Sequence, residues 1–311
     1  MGEPFIGSEA TASGVLTAYQ LRSRFRAVFP DVYAPRDTEL TASQRATAAW
    51  LWTRRDGVVA GQSAAALHGA KWVDASQPAE VLWPNRRPPH GLRTWSDRVA
   101  DDEVQTVEGV RVTTPARTAL DIACRYPLDK AVAAIDALAR ATHLKIADVE
   151  LLAERYRGRR GMRNAYSTLG LVDPGAESPR ETWLRLLVIR NGFPPPQTQI
   201  PVYDEHGQLV AVVDMGWEHM KVALDYEGGH HRDPDRFNKD IHRYEAVTGL
   251  GWIDIRVTSR DTEGGIVRRL QAAWAQRTCA QRENRGAVSS GRCNTLLIEE
   301  CCGFESCVAV E

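Results

Sequence analysis

The chain has 311 residues, of which 43% are hydrophobic and 25% charged, and its formal net charge is −1. This composition is typical of a soluble globular protein long enough for two domains. It excludes a globally basic nucleic-acid binder but allows a local basic patch. Because no apolar run reaches membrane-spanning length and the first residues lack a signal-peptide pattern, we expect a cytoplasmic protein without a membrane partner.

The first quarter of the sequence predicts short helices around a hairpin. Thr17 begins a capping box for a helix over Leu16–Arg26. The segment "AVFPDVYAPR" predicts a strand pair, and Thr41–Arg55 a second helix. In "VVAGQSAAALHGAKW" a strand precedes a short helix capped near Ser63. Small helices with a wing-like ribbon predict a winged helix-turn-helix-like region over residues 1–75.

The next region, residues 76–172, begins with strands and continues with helices. The segments "AEVLWP", "GLRTWSD" and "GVRVTT" are strand-like and separated by turn residues. Thr114 and Pro115 are suited to the N-cap and first positions of a helix. Two further amphipathic stretches follow, the second interrupted by arginines and glycines. We therefore predict an α+β arrangement for this part of the chain.

A turn-rich segment, Asp173–Pro179, predicts a boundary before an α/β domain over residues 173–277. The order there is helix, three strands, helix, strand and helix, which indicates one mixed sheet. The last segment, residues 278–311, holds five of the six cysteines. Since their spacing matches no zinc pattern, we expect a disordered Cys-rich tail.

The most informative stretch is "VALDYEGGHH", which places two acids in an apolar strand. Residues two apart share one face of a strand, so Asp225 and Glu227 point the same way. Asp214 ends the preceding strand, and Glu181 lies in the first turn of the helix that opens the domain. Carboxylates gathered in this way repel one another unless a hard cation binds them, so the pattern predicts Mg²⁺ or Mn²⁺. Predicted metal ligands are Asp214, Asp225, Glu227 and Glu181.

Two adjacent histidines, His230 and His231, follow these acids. A histidine beside a metal-activated water orients that water or protonates a leaving group. The predicted catalytic residues are therefore Asp214, Asp225, Glu227, Glu181, His231 and His230. For any one of these acids, simple solvation at a strand end is the better interpretation; the ordered set favours a site.

The segments "SPRETWLRLLVIRNGF", "VVDMGW", "VALDYEGGHH", "DPDRFNKDIHR" and "GWIDIRV" resemble the family of the very-short-patch repair endonuclease, within the PD-(D/E)xK nucleases. The resemblance implies a restriction-endonuclease-like fold and metal-dependent phosphodiester hydrolysis. Two departures stand out. The family reads Glu-x-Asp-Gly where this chain has Asp225 and Glu227, and Glu227 occupies the position of the superfamily lysine.

The segments "LTAYQLRSRFRAVFPDVYAPRD", "VVAGQSAAALHG" and "GVRVTTPARTALDIA" resemble the N-terminal region of AbiEi-type antitoxins. That resemblance implies a DNA-binding repressor with a partner toxin. Arginines lie in the first helix region and in "RYRGRRGMR", where phosphate contact and a solvated basic turn are equally good interpretations. Candidate DNA-contacting residues are Arg22, Arg24, Arg26, Arg157, Arg159 and Arg160. We interpret Trp50, Trp52 and Trp72 as core residues.

Three functions are compatible with the sequence. The first is a DNA-binding protein whose C-terminal domain is a metal-dependent endonuclease. The second is a non-catalytic, antitoxin-type transcriptional regulator whose nuclease fold has decayed or binds a protein. The third is a binding module without a nucleic-acid role. The set of acids favours the first function over the third, and the missing lysine shifts weight toward the second.

Overall fold

A computed structural model describes residues 2–85, 87–227 and 243–289, with side chains up to Cys279. The fold is mixed α/β, and its described strands form sheets of three, five and four strands. No helix in these described ranges is both long enough and apolar enough to cross a membrane.

The N-terminal part is a small sheet flanked by helices. Thr17 accepts from the backbone N–H of Gln20, whose side chain accepts from the Thr17 N–H, so the predicted capping box is confirmed. The predicted strand pair is confirmed as a hairpin in a sheet of order β1-β3-β2. Its elements are β1 (Phe5–Ile6), α1 (Gly7–Ala12), α2 (Ala18–Arg24), β2 (Phe25–Phe29), β3 (Val32–Pro35) and α3 (Ala42–Trp52).

The middle part is a mixed sheet of order β6-β5-β4-β8-β7 packed against helices. Thr114 and Pro115 begin its second helix as predicted. The strands are β4 (Val58–Val59), β5 (Ala79–Leu82), β6 (Leu92–Trp95), β7 (Val104–Val107) and β8 (Val110–Thr113). The helices are α4 (Gly61–Leu67), α5 (Pro115–Arg125), α6 (Leu128–Thr142), α7 (Ile146–Ala153) and α8 (Met162–Leu169).

In this part of the chain, the sequence predictions for Ser63 and Trp72 are wrong. Ser63 does not cap α4, because its hydroxyl accepts from the backbone N–H of Glu80 at 2.9 Å. The predicted boundary at residue 75 falls between β4 and β5, which are neighbours in one sheet, and one apolar core contains Ile6, Val59 and Val112. Trp72 is 62% exposed and is not a core residue, whereas Trp50 and Trp52 pack against that core.

The C-terminal part is a four-stranded mixed sheet of order β12-β11-β10-β9. Strands β9, β10 and β11 are antiparallel neighbours, while β11 and β12 run parallel with the helix of residues 243–249 between them in sequence. This is the predicted order of elements. They are α9 (Pro179–Arg190), β9 (Gln197–Tyr203), β10 (Leu209–Trp217), β11 (Val222–Glu227), α10 (residues 243–249), β12 (Ile253–Thr258) and α11 (Glu263–Ser289).

The last helix extends beyond the predicted end of the domain at residue 277. Helix α11 continues to Ser289, so the first twelve residues of the predicted tail are helical. The remainder of that prediction, for residues 290–311, lies outside the described residues.

A buried ion pair joins the middle and C-terminal parts. Asp136 of α6 accepts from Arg185 Nη2 and Thr182 Oγ1 of α9, at 2.9 and 2.8 Å. It also accepts from the backbone N–H of Asp173, at 2.8 Å. Asp136 and Arg185 are 1% and 5% exposed. Burial raises the pKa of Asp136 to about 6, against the opposing effect of Arg185.

Candidate functional site

The acids of "VALDYE" and "VVDMGW" meet where the pairing of β10 with β11 ends. The last paired residues there are Met215 and Leu224, which places Asp214 opposite Asp225. Residues opposite each other on neighbouring strands have side chains on the same face of a sheet. Here the carboxylates accept backbone N–H groups. The N–H of Asp214 donates to Asp225 Oδ1 at 2.7 Å, and that of Tyr226 to Asp214 Oδ2 at 2.8 Å.

An arginine from α10 binds the more buried of these two carboxylates. Arg243 Nη2 lies 2.8 Å from Asp225 Oδ2 and also donates to the carbonyl of Val212. Asp225 is 5% exposed, whereas the side chain of Arg243 is 32% exposed. The guanidinium of Arg243 therefore reaches Asp225 from the solvent side, and it compensates a charge that would be costly to bury alone.

A second arginine, Arg256 of β12, lies beside Asp225 in the parallel register. Its Nη1 is 2.7 Å from Glu227 Oε1, its Nε is 3.5 Å from Asp254 Oδ2, and its guanidinium stacks 4.7 Å from the ring centre of Tyr244. Since Asp254 and Arg256 are two apart on one strand, they share the face that carries Asp225. We refer to Asp214, Asp225, Glu227 and Asp254 with Arg243 and Arg256 as the carboxylate–arginine cluster.

Burial and mutual repulsion raise the pKa values of the aspartates in this cluster. Burial, followed by the charge of Asp225, raises the pKa of Asp214 to about 7, and Glu181 adds to the repulsion. The same two causes raise the pKa of Asp254 to about 6. Burial also raises the pKa of Asp225, which Arg243 opposes. Near neutral pH the cluster therefore holds protons that ordinary aspartates would have released.

Glu181, a predicted metal ligand, caps its own helix. Its Oε2 accepts from the backbone N–H of Glu177 and its Oε1 from the hydroxyl of Ser178, both at 2.8 Å. The N–H of Glu181 donates back to the Ser178 hydroxyl at 3.2 Å. These contacts at the start of α9 give Glu181 a structural role, although its charge still reaches Asp214.

This arrangement does not fit a divalent cation. Asp225 and Glu227 are each bound by an arginine, and both oxygens of Glu181 are used in the helix cap. In the parts of the chain that the structure describes, no three acids, histidines or cysteines are grouped so that they could hold a metal ion. The predicted catalytic residues His230 and His231 lie outside the described residues.

Sequence reasoning missed the two arginines and Asp254 as members of the cluster. Arg243 lies on a helix, and its partner Asp225 lies on a strand of the sheet, so local spacing gave no signal for this pair. A signal for the other two was present, because Asp254 and Arg256 alternate along "GWIDIRV" as Asp225 and Glu227 do along "VALDYE".

The candidate DNA-contacting arginines fall into two groups. Arg22 and Arg24 are exposed at the end of α2, and the exposed Arg36 donates to the carbonyl of Arg22 at 2.8 Å. We call Arg22, Arg24 and Arg36 the arginine patch; within the described ranges, no carboxylate pairs with any of them. Arg26 is half-buried and donates to the carbonyl of Thr38.

The arginines after α7 are mostly bound within the protein. Arg159 is only 11% exposed and pairs with Asp121 and Asp97. Arg157 is exposed but pairs with Glu154. Arg160 is exposed. The density of arginine in "RYRGRRGMR" therefore reflects internal ion pairing at least as much as an open basic surface.

Two curated proteins of Mycobacterium tuberculosis resemble this chain. They are the uncharacterized protein Rv2248 of strain H37Rv and the uncharacterized protein MT2308 of strain CDC 1551. Each is 30% identical over 237 residues, which cover 75% of this chain and 85% of the relative. This chain belongs to their family.

The AbiEi antitoxin C-terminal domain family matches residues 57–171. That range runs from the start of β4 to just beyond α8, so it contains the five-stranded sheet and its helices. It contains neither the arginine patch nor the carboxylate–arginine cluster. No solved structure matches the chain.

Proposed function

We propose that this protein is a non-catalytic, DNA-binding regulator of the AbiEi antitoxin type. The observation that carries this proposal is the match of the AbiEi antitoxin C-terminal domain to residues 57–171. The N-terminal segment of residues 16–37 also resembles these antitoxins in sequence, which supports the same proposal for that part of the chain. Proteins of that type bind DNA and repress their own operon, which is what the resemblance implies for this chain.

The arginine patch is the surface best suited to duplex DNA. Arg22 and Arg24 lie in the last turn of α2, and Arg36 is anchored against that turn through the carbonyls of Arg22 and Phe25. Arginines that have no carboxylate partner bind phosphates without first breaking an ion pair. Neighbouring Arg54 and Arg55 contrast with them, because they pair with Asp31 and Glu9 at 2.7 and 2.6 Å.

The test is the salt dependence of duplex binding, measured by fluorescence anisotropy with full-length protein. For each phosphate that the protein no longer neutralises, the slope of log K against log salt becomes shallower by about 0.9. We expect Arg22→Ala with Arg24→Ala to make it shallower by about 2 and to weaken binding at every DNA sequence, because phosphates carry no sequence information.

The matched control is Arg54→Ala with Arg55→Ala, which changes the net charge of the same N-terminal unit by the same amount. We expect its slope to match the wild type, since these arginines are neutralised by acids. Equal effects of both double variants would show that only overall charge matters. An absence of duplex binding by the wild type at low salt would overturn the proposal.

A partner protein is part of the proposed function. An antitoxin acts on a toxin, and the AbiEi resemblance implies a nucleotidyltransferase-like toxin encoded by a neighbouring reading frame. Co-expression of the chain with the product of that frame, followed by size-exclusion chromatography, tests this part. Toxicity that the chain does not relieve would contradict it.

The second candidate is a metal-dependent endonuclease. One observation favours it: Asp214, Asp225 and Glu227 lie on one face of a mixed sheet whose order of elements agrees with the resemblance to very-short-patch repair endonucleases. The arginines bound to these acids weigh against it. Cleavage of plasmid DNA with Mg²⁺ or Mn²⁺, absent with EDTA and abolished in Asp214→Asn, would favour the nuclease.

A further inference from the structure

A basic cavity of about 330 Å³ lies between α3, α4, the loop of residues 71–79, β6 and α6. Its volume is at the lower end of the range of small-molecule sites. Among the residues that the structure describes, four cationic side chains line it, and Asp74 is the only acidic residue in the lining. The four cations are Arg45, Lys71, Arg93 and Lys130.

Most of this positive charge is uncompensated. Within the described ranges, no ion pair involves Arg45, Lys71 or Lys130, and the buried Nε of Arg45 has no hydrogen-bond partner. Arg93 is the exception, because its Nη1 lies 3.0 Å from Glu80 Oε1 behind the cavity. Asp74 already accepts from the backbone N–H of Ser76 and from the amide of Gln77, at 2.8 and 3.2 Å.

An exposed, strained tryptophan stands at the rim of this cavity. Trp72 is 62% exposed and has a φ of +67°, a left-handed conformation that is rare for a bulky residue. Its indole N–H donates to the carbonyl of Glu177 at 3.0 Å, which fixes the ring. Strained residues persist where the surrounding structure holds them, and they are common at ligand sites. The ring offers a stacking surface beside the cations.

We propose that this cavity binds a single nucleotide. Its phosphate would be held by Lys71, Lys130 and Arg45, and its base would stack on Trp72. A phosphate matches unpaired ammonium and guanidinium groups, and a planar base matches an exposed indole face. The nucleotide is either free or the phosphorylated end of a DNA strand. This inference does not rest on the proposed function, because the arginine patch does not line the cavity.

The test is isothermal titration calorimetry of the full-length protein with adenosine monophosphate. Adenosine and inorganic phosphate are titrated separately, to assign the two halves of the site. We expect saturable binding of the nucleotide, at least tenfold tighter than either component. Lys71→Gln with Lys130→Gln should weaken nucleotide binding at least tenfold. Trp72→Ala should weaken nucleotide binding and leave inorganic phosphate binding unchanged.

Lys145→Gln is the matched control, because Lys145 is exposed and lies outside the cavity. It should bind the nucleotide like the wild type, and unchanged melting temperatures confirm that the variants fold. A 5′-phosphorylated single-stranded oligonucleotide is then tested as a competitor of the nucleotide. Competition by this oligonucleotide, but not by its unphosphorylated form, assigns a strand end as the ligand. Lack of competition assigns the free nucleotide. No saturable nucleotide binding, or binding unaffected by the lysine or tryptophan changes, overturns the proposal.

Discussion

Two charged networks in this molecule are built in opposite ways. In residues 57–171, the range that matches the AbiEi antitoxin C-terminal domain, Arg117 is fully buried. Its guanidinium pairs with Glu103 and, at 3.1 Å, with Asp121, and it donates to the hydroxyl of Tyr156. Arg159 adds a second cation to Asp121. Each carboxylate of this network thus has a guanidinium against it, and no part of the ion pair between Arg117 and Asp121 reaches solvent.

In the carboxylate–arginine cluster, by contrast, the carboxylates of Asp225 and Asp254 are buried, whereas both arginines are partly exposed. Within the part of the chain that the structure describes, this cluster has four carboxylates and two arginines, and the side chains of the arginines are 32% and 27% exposed. Burial, followed by the charge of Asp225, raises the pKa of Asp214 to about 7. The comparison indicates that a balanced, buried network stabilises the fold, whereas the carboxylate-rich cluster at the end of the β10–β11 pairing changes charge within the physiological pH range.

The largest effect is expected from Arg117→Met. Removing the guanidinium takes away the buried cation that Glu103 and Asp121 share, so that Asp121 keeps only Arg159, and breaking such a buried pair costs about 3–5 kcal/mol. Urea unfolding measures the loss of stability. Arg157→Ala is the control, because its pair with Glu154 is solvated and contributes about 0–1 kcal/mol. Equal losses of unfolding free energy in the two variants would show that the buried ion pairs of Arg117 stabilise the fold no more than the exposed pair of Arg157.

The second prediction concerns the junction between the two regions. Asp136→Ala leaves Arg185 buried without its carboxylate, and we expect stability to fall by about 3 kcal/mol. Asp129→Ala breaks an exposed pair with Arg190 that joins the same two helices, so its effect should stay below about 1 kcal/mol. Limited proteolysis of residues 173–178 should accelerate only in the first variant. If cleavage is unchanged there, this buried pair does not hold the junction together.

The third prediction is a pH dependence. Because the folded pKa of Asp214 is about 7 and its ordinary value is 3.8, the folded state binds the proton more tightly than the unfolded state. The stability from this group is present at low pH and is lost as pH rises through about 7. We expect the free energy of unfolding of Asp214→Asn to exceed that of the wild type by about 1–2 kcal/mol at pH 8, and by less at pH 5.

The quantity to measure is the difference in the free energy of unfolding between variant and wild type at each pH. Burial lowers the pKa of His68, which therefore makes both proteins more stable as pH rises, and this effect cancels in the difference. Glu205→Gln, which removes the same charge from an exposed turn, is the control for the loss of one negative charge. A flat difference for Asp214→Asn would show that Asp214 ionises like an ordinary aspartate.

The smallest effect is expected from divalent cations. A ligand that binds only the folded state raises the melting temperature. Because arginines occupy the carboxylates of Asp225 and Glu227, we expect Mg²⁺ or Mn²⁺ to leave the melting temperature of the full-length protein unchanged. An increase that disappears in Asp214→Asn would place a metal among these acids and favour the nuclease.

Local features of this fold could be predicted from the sequence, and long-range partners could not. The capping box of Thr17 and the start of α5 at Thr114 and Pro115 depend on residues three or four positions apart. Ser63 looked like another cap, but its hydroxyl is taken by the N–H of Glu80 from a strand 17 residues later. The same limit explains Arg243, whose partner Asp225 lies on another element.

Alternation along strands was informative about the cluster, but it did not identify the cation. The pattern placed Asp225 and Glu227 on one face, and a metal ion was the simplest way to compensate them. The structure supplies Arg243 and Arg256 instead. Which cation a set of acids meets depends on how the helix between β11 and β12 packs on the sheet, and local spacing contains no information about that packing.

The most direct test of a non-catalytic DNA-binding protein measures binding and cleavage in one experiment. Full-length protein is incubated with supercoiled plasmid at low salt, with EDTA or with Mn²⁺, and part of each sample is deproteinised before electrophoresis. We predict retarded plasmid under both conditions in the untreated samples, and intact supercoiled plasmid in all deproteinised ones. Nicked or linear plasmid that requires Mn²⁺, and that Asp214→Asn no longer produces, would contradict this function.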